Sequence, residues 1–341
     1  MSQLVDHLAD LTGYRDRDVL DVTLVGAMKD LLRPESVAIY RPVGDSGQER
    51  WLTRARLNGQ DVVATADPAW VDIEALPLLN QHPHRVAAMN SREITQAPGE
   101  TSHITVFPVA TDRDVVAVME IHSSAPLSSD EQRLVGSILR IYRNFQGLLD
   151  YSERDTLTGL LNRKTFDESF LKATAEPQMP NAGDAERRAD QTGGTYLGVL
   201  DIDHFKRVND TYGHLIGDEV LLLLSRLMRA TFRFHDRLYR FGGEEFVVLM
   251  RCANEDDAAQ AFERLRANTE AYAFPQVGRI TVSIGFTLVK AGDTPSGAFE
   301  RADKAVYFAK GHGRNCVHSH ADLVAKGELE DDSKTGDVEL F

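Results

Sequence analysis

Two short acidic segments have residue types and spacing that could do chemistry. The apolar run Tyr196-Leu197-Gly198-Val199-Leu200 ends abruptly in Asp201-Ile202-Asp203, and about forty residues later comes Gly242-Gly243-Glu244-Glu245-Phe246. Acids closing a buried-type strand cost desolvation and add no packing, which makes them candidate cation ligands. Two glycines between strand-like runs make a tight turn and leave the backbone open to a phosphate or a base. The two carboxylates after them are presented at a sheet edge. If the two strands are antiparallel neighbours, Asp201 and Glu244 meet. Such a pair suits Mg²⁺, which takes few carboxylates together with substrate phosphates. The chemistry it suggests is metal-assisted phosphoryl or nucleotidyl transfer. Any one of these acids alone reads as a solvated strand end; the constellation does not.

The elements that must hold these groups follow from periodicity and turn signals. The 341 residues suggest two domains. In the first half a helix is predicted over Asp16–Leu32, with strands at Ser36–Arg41, His103–Ala110 and Val115–His122 and polar loops elsewhere. Thr111-Asp112-Arg113-Asp114 joins the last two strands as a hairpin, giving an α+β domain with an antiparallel sheet. In the second half come strand Tyr196–Asp203, helix Asp218–Phe232, hairpin Arg237–Phe241/Phe246–Arg251, helix Asn254–Tyr272, strand Ile280–Val289 and helix Ala298–Lys310. That order predicts a βαββαβ-type sheet with helices on one side.

Between the halves, Leu134, Ile138, Ile141, Phe145 and Leu148 follow the a/d spacing of a coiled coil, with Val135, Tyr142 and Leu149 repeating beside them. Ser128 or Ser129 would cap this helix, with Asp130 and Glu131 in its first turn. Two heptads fit a dimeric coiled coil and an amphipathic helix packed on its own domain equally well, and one helix can do both. The expected limits are 1–126 for the first domain, 127–154 for the linking helix, 155–318 for the second domain and 319–341 for a solvated acidic tail. A stretch that strings together Pro177, Pro180, Asn181, Gly183, Asp184, Gly193 and Gly194 with no apolar period, 175–195, reads as a flexible insertion.

Composition narrows the function. A formal net charge of −14 argues against general nucleic-acid or anionic-membrane binding. Part of it sits in the tail, where residues 327–341 hold six acids and one base. Cys252 and Cys316 cannot make a disulfide framework. With no leader-like start and no long apolar run, the expectation is a cytoplasmic protein.

The acidic segments belong to longer motifs. Asp201-Ile-Asp203-His-Phe205-Lys206-Arg-Val-Asn209-Asp210-Thr-Tyr-Gly213-His214-Leu-Ile-Gly217-Asp218, followed by Gly242-Gly243-Glu244-Glu245-Phe246, resembles the GGDEF domain of the diguanylate cyclase family. Asp155-Thr-Leu157-Thr158-Gly159-Leu160-Leu-Asn162-Arg163 is similar to the turn that opens such domains. Lys310-Gly311-His312-Gly313-Arg314-Asn315 is similar to the motif that closes them. The resemblance covers about 155–318.

It implies a palm-like nucleotidyl-cyclase fold that condenses two GTP into cyclic di-GMP with release of two pyrophosphates, using two Mg²⁺ or Mn²⁺ per active site. It would place metal on Asp201, the Ile202 carbonyl and Glu244, with Glu245 in support. Glu244 would also act as base, and Lys206 would stabilise phosphate charge. Asn209 and Asp218, with His214 beside them, would read guanine; Lys310 and Arg314 would clamp phosphates, and Gly242 and Gly243 would admit the nucleotide. Each position also has a plainer reading: Lys206 flanking a strand, Asn209 capping the turn, Asp218 capping the next helix. One GTP binds per protomer, so the resemblance implies a homodimer. Arg233-Phe234-His235-Asp236 resembles the family's RxxD site, where cyclic di-GMP inhibits through Arg233 and Asp236.

In the first half, His103-Ile-Thr-Val-Phe-Pro-Val109, a short hairpin, Val115-Val-Ala-Val-Met-Glu-Ile121 and the exit helix resemble the second half of a GAF domain, with a PAS-like domain as the alternative, binding an unknown small molecule or none. Without a cysteine there, a covalently attached bilin is not expected, and His82, His84, His103 and His122 read as ordinary histidines. The alternative to a regulated enzyme is a catalytically silent receptor for GTP or cyclic di-GMP.

Overall fold

The computed structural model describes residues 2–13, 16–44, 47–68, 71–99, 101–110, 115–175 and 193–330. The chain divides into two compact units, Met1–Ser152 and Glu153–Phe341. The Thr111–Asp114 turn and all but the ends of the 175–195 segment lie outside the described residues.

The first unit contains α1 (Ser2–Gly13), α2 (Arg17–Leu32), β1 (Ser36–Val43), β2 (Arg50–Asn58), α3 (Pro83–Ser91), β3 (Thr95–Pro98), β4 (His103–Ala110), β5 (Val115–Ser123) and α4 (Ser129–Glu153). Its five strands form an antiparallel sheet in the order β2-β1-β5-β4-β3. Period-two alternation splits the strands between two cores. Val37, Ile39, Phe107, Val109, Met119 and Ile121 face α1, α2 and α4. Ala38, Tyr40, Val106 and Val118 face α3. The polar loops expected between Arg41 and His103 in fact hold β2, α3 and β3. Arginines and threonine interrupt the apolar pattern of Trp51-Leu52-Thr53-Arg54-Ala55-Arg56-Leu57, and α3 has only nine residues, one of its two buried side chains being Arg85.

Helix α4 opens on a capping box: Ser128 N–H donates to Glu131 Oε2 at 2.8 Å, and Glu131 N–H donates to Ser128 Oγ at 3.3 Å. Its buried face is Val135, Ile138, Leu139, Tyr142, Gln146 and Leu149, packed on its own unit. Of the a/d series, Ile138 alone is fully buried, and Leu148 is 66% exposed. The own-domain packing is therefore present, along the face led by Val135 and Tyr142. The Tyr142 hydroxyl donates to Asp21 of α2, which also takes the Arg54 guanidinium at 2.9 Å.

The second unit contains β6 (Leu161–Asn162), α5 (Arg163–Ala175), β7 (Gly194–Ile202), α6 (Phe205–Tyr212), α7 (His214–Thr231), β8 (Arg237–Gly242), β9 (Glu245–Cys252), α8 (Glu255–Ala271), the two-residue pair β10 (Ala273–Phe274) and β11 (Gly278–Arg279), β12 (Val282–Leu288), α9 (Pro295–Gly311), β13 (Val317–Ser319) and α10 (His320–Ala325). The sheet order is β13-β12-β7-β9-β8-β6, with β7 central and antiparallel to β12 and β9.

Helices cover both faces, not one. Phe205, Val220, Leu224, Phe262 and Leu265, from α6, α7 and α8, pack on one side against Leu200, Phe246 and Val248. Phe166, Phe170, Ala298, Ala302 and Val306, from α5 and α9, pack on the other against Val199, Tyr239 and Val247. Both faces of β7 are buried, so its sequence reads as a continuous apolar run. Gly285 lets α9 lie directly on β12: a Cβ there would sit 2.2 Å from the Ala302 carbonyl oxygen. Residues 319–325 of the expected tail are structured, because β13 pairs with β12 and α10 buries Leu323, and residues 331–341 lie outside the described residues.

Candidate active site

The sheet brings the two acidic segments together. Strand β7 delivers Asp201 directly opposite Glu245 on β9, and the β8–β9 turn carries Glu244 beside them. Gly242 (φ 134°) and Gly243 (φ 53°) give this turn its shape, and a Cβ at either would meet nothing. Backbone conformation, and not space, is what requires glycine here. Burial raises the pKa values of Glu244 and Glu245, and the neighbouring Asp201 raises them further. Burial also raises Asp201, opposed by Lys310, whose Nζ lies 2.7 Å from Asp201 Oδ2.

Carboxylates clustered at such a cost fit a cation site. Among the described residues no three His, Cys, Asp or Glu side chains converge on one point. Sequence reasoning missed Asp303, exposed on α9 and two helical turns before Lys310, whose charge acts on Glu245. The seven-residue spacing from Lys310 was its only signal.

Arg240 was also missed, although it fixes the turn. Its Nε and Nη2 donate to the Gly243 carbonyl at 3.2 and 2.8 Å, and its Nη1 donates to both oxygens of Asp155 at 3.0 and 3.2 Å. Burial would raise Asp155, but hydrogen bonds from Thr158 and Arg240 hold it below the usual carboxylate range. The opening turn and the Gly-Gly turn are thus held by one guanidinium.

Asn209 sits half-buried on α6, and its carbonyl accepts from Gly213 N–H at 2.9 Å. Its side chain lies against Gly217 on α7, where a Cβ would be 2.0 Å from Asn209 Oδ1. Asp218 does not cap a helix: α7 begins at His214 with Gly213 as N-cap, four residues earlier than expected. Lys206, His214, Asp218 and Arg314 are all exposed. Lys206 lies within α6, so it does not flank a strand.

Arg233 and Asp236 lie elsewhere, in a turn where Asp236 Oδ2 accepts from Arg233 N–H at 2.8 Å. They line a cleft of about 270 Å³ with Arg251, Cys252, Asp257 and Arg264. Burial pushes the Asp236 carboxyl up to about 6, and its Oδ1 is buried without a hydrogen-bond partner. Cys252 in the same cleft is pushed up to about 11 by burial, which keeps its thiol protonated and unreactive. In the first unit, Arg85 pairs with both oxygens of Glu120 at 2.8 and 2.9 Å beneath Tyr40, and His122 Nε2 lies 3.1 Å from Glu120 Oε1. Among the described residues no helix is long and apolar enough to cross a membrane.

Residues 152–316 match the sequence model of the family described as the diguanylate cyclase GGDEF domain. Diguanylate cyclase DgcP of Pseudomonas aeruginosa is 42% identical over 164 residues, 47% of this chain and 23% of that protein. Diguanylate cyclase DgcZ of Escherichia coli is 38% identical over 167 residues, 48% of this chain and 52% of that protein. The solved GGDEF domain of DgcB from Caulobacter crescentus, in complex with c-di-GMP, is 34% identical with a TM-score of 0.43 and covers 50% of this chain and 96% of that one. The chain therefore spans about half or less of the length of these two curated relatives.

Proposed function

We propose, from a C-terminal unit that carries a GGDEF domain, that this chain is a diguanylate cyclase condensing two GTP into cyclic di-GMP and two pyrophosphates. The observation that carries the proposal is the cluster of Asp201, Glu244 and Glu245 on adjacent strands with Lys310 held against it. Asp201, Glu244 and the Ile202 carbonyl would hold Mg²⁺ or Mn²⁺, which when bound polarises phosphate oxygens and lowers the pKa of the 3′-hydroxyl. Glu244 takes the proton of that hydroxyl. Glu245 keeps the cluster anionic, while Lys206, Lys310 and Arg314 balance charge on the triphosphate. Asn209 donates to guanine O6, and Asp218 accepts from N1–H and N2–H₂.

One site holds one GTP, so the reaction needs two copies face to face, and catalysis is largely their positioning. Helix α4 runs from the sheet of the first unit to the first residue of the second. That continuity supports a GAF-like sensory role for the first unit, acting on the dimer through α4. The arginine-rich cleft around Asp236 supports product inhibition by cyclic di-GMP.

Incubating the purified chain with GTP and Mg²⁺ and resolving the products tests the activity. Cyclic di-GMP is expected, and the Glu244→Ala variant should make none. Absence of product from the wild-type chain at high protein concentration overturns the proposal.

A further inference from the structure

Asp203 ends the acidic segment two residues after Asp201 and is buried, yet its carboxylate is fully engaged within the protein. Oδ1 accepts from Ser283 Oγ at 2.7 Å; Oδ2 accepts from Thr281 Oγ1 at 2.7 Å and from Asn315 N–H at 3.0 Å. Its own N–H donates to the Thr281 carbonyl at 2.9 Å. Three donors leave a carboxylate little capacity for a cation.

The Asn315 contact matters most, because Asn315 ends the loop that follows Lys310 and carries Arg314. Arg314 (φ 60°) and Asn315 (φ 47°) are consecutive left-handed residues, a conformation that non-glycine residues hold only when their surroundings impose it. Here the loop is held from two sides. Asp203 takes the Asn315 N–H, and Arg266 Nη1 donates to Asn315 Oδ1 at 2.8 Å. Arg266 is itself fixed on α8 by Glu263 and Glu270.

We infer that Asp203 is a positioning residue that sets the phosphate-clamping loop, and with it Arg314, at a fixed place beside the strand carrying Asp201; it is not a metal ligand. This rests on the cyclase reading for the identity of the substrate. In Asp203→Ala the Ser283 and Thr281 hydroxyls and the Asn315 N–H all lose their acceptor, and the loop loses its anchor.

The test uses the full chain. For Asp203→Ala, the KM for GTP should rise about tenfold while kcat changes less than about threefold. The Kd of a non-hydrolysable GTP analogue, measured by calorimetry with Mg²⁺, should rise in parallel. Mn²⁺ affinity without nucleotide, read by electron paramagnetic resonance, should equal that of wild type, whereas Asp201→Asn should lose it. Loss of Mn²⁺ affinity in Asp203→Ala, or an unchanged KM and Kd, overturns the inference. If that variant does not fold, Arg266→Ala decides on the same readouts, because it frees Asn315 from the other side: a raised KM supports the inference and an unchanged one overturns it. Were the wild-type chain to bind the analogue without forming cyclic di-GMP, the activity reading would fall, and the role of Asp203 would still be decided by the analogue's Kd.

Discussion

Gly217→Ala should damage base reading while leaving the fold intact. The added methyl would lie 2.0 Å from Asn209 Oδ1 and 3.1 Å from Asn209 Cγ, where ordinary contact begins at 3.4 Å. The amide must therefore retreat by well over an ångström, too far to keep a hydrogen bond to guanine O6. An unmade hydrogen bond at a buried polar edge costs about 1–3 kcal/mol, so kcat/KM for GTP should fall about 5- to 150-fold. The helix itself should gain, since alanine exceeds glycine in helix propensity by up to about 1 kcal/mol. Thermal unfolding should thus stay level or rise as specificity for GTP over ATP narrows. Gly198→Ala is the contrasting control: its Cβ would lie 2.1 Å from the buried Phe262 ring, so stability should drop first. If Gly217→Ala kept wild-type kcat/KM and base preference, Asn209 would not be the guanine reader and the reasoning would fail.

Other perturbations separate the remaining roles. Arg240→Met should lower kcat about tenfold or more by freeing the Gly243 carbonyl and the Asp155 turn together, and Asp155→Asn should reproduce part of that loss in the same initial-rate assay. Asp236 has a folded pKa raised to about 6, so its ionisation destabilises the fold as pH rises from about 4 through 6. Asp236→Asn should therefore be more stable than wild type by about 1–3 kcal/mol at pH 7–8, with the difference vanishing below pH 4 in denaturant titrations. The same variant should raise the concentration of cyclic di-GMP needed for inhibition. Burial would raise Glu120, but His122 and Arg85 hold it at about 2, so its pairing stabilises the fold above the ordinary carboxylate range and is lost as pH falls towards 2. Glu120→Gln should cost the first unit about 3–5 kcal/mol at pH 7 by leaving Arg85 buried without a counter-charge, and circular dichroism melts would detect it.

Legibility in the sequence followed the kind of interaction. Strand β7, hairpin β8–β9 and helices α8 and α9 stood out because apolar runs, Gly-Gly and helical periodicity are local signals. The two helix layers did not, because an apolar strand buried on both faces does not say which element covers which face. In α4 two apolar faces competed, and packing against the sheet used the one led by Val135 and Tyr142. Strand order brought Asp201 to the Gly-Gly turn, but the register sets it opposite Glu245 and leaves Glu244 in the turn. Arg240, Asp303 and the steric demand at Gly217 were not readable, since each depends on a contact across elements. Asp203 was readable only as an acid; that it serves the loop at Asn315 needed the register of β12.

The contact between Lys310 and Asp201 bears on how the site loads. An ammonium already balances Asp201, while Glu244 and Glu245 beside it have no cation within ion-pair distance among the described residues. Lys310 can leave Asp201 cheaply only when another cation takes its place and another anion receives it. A magnesium-complexed triphosphate supplies both at once, whereas the ion alone or the nucleotide alone supplies one. On the proposed cyclase reading the site would work as a two-key lock: metal affinity measured with GTP present should exceed that measured without it, and removing the lysine charge should narrow the gap.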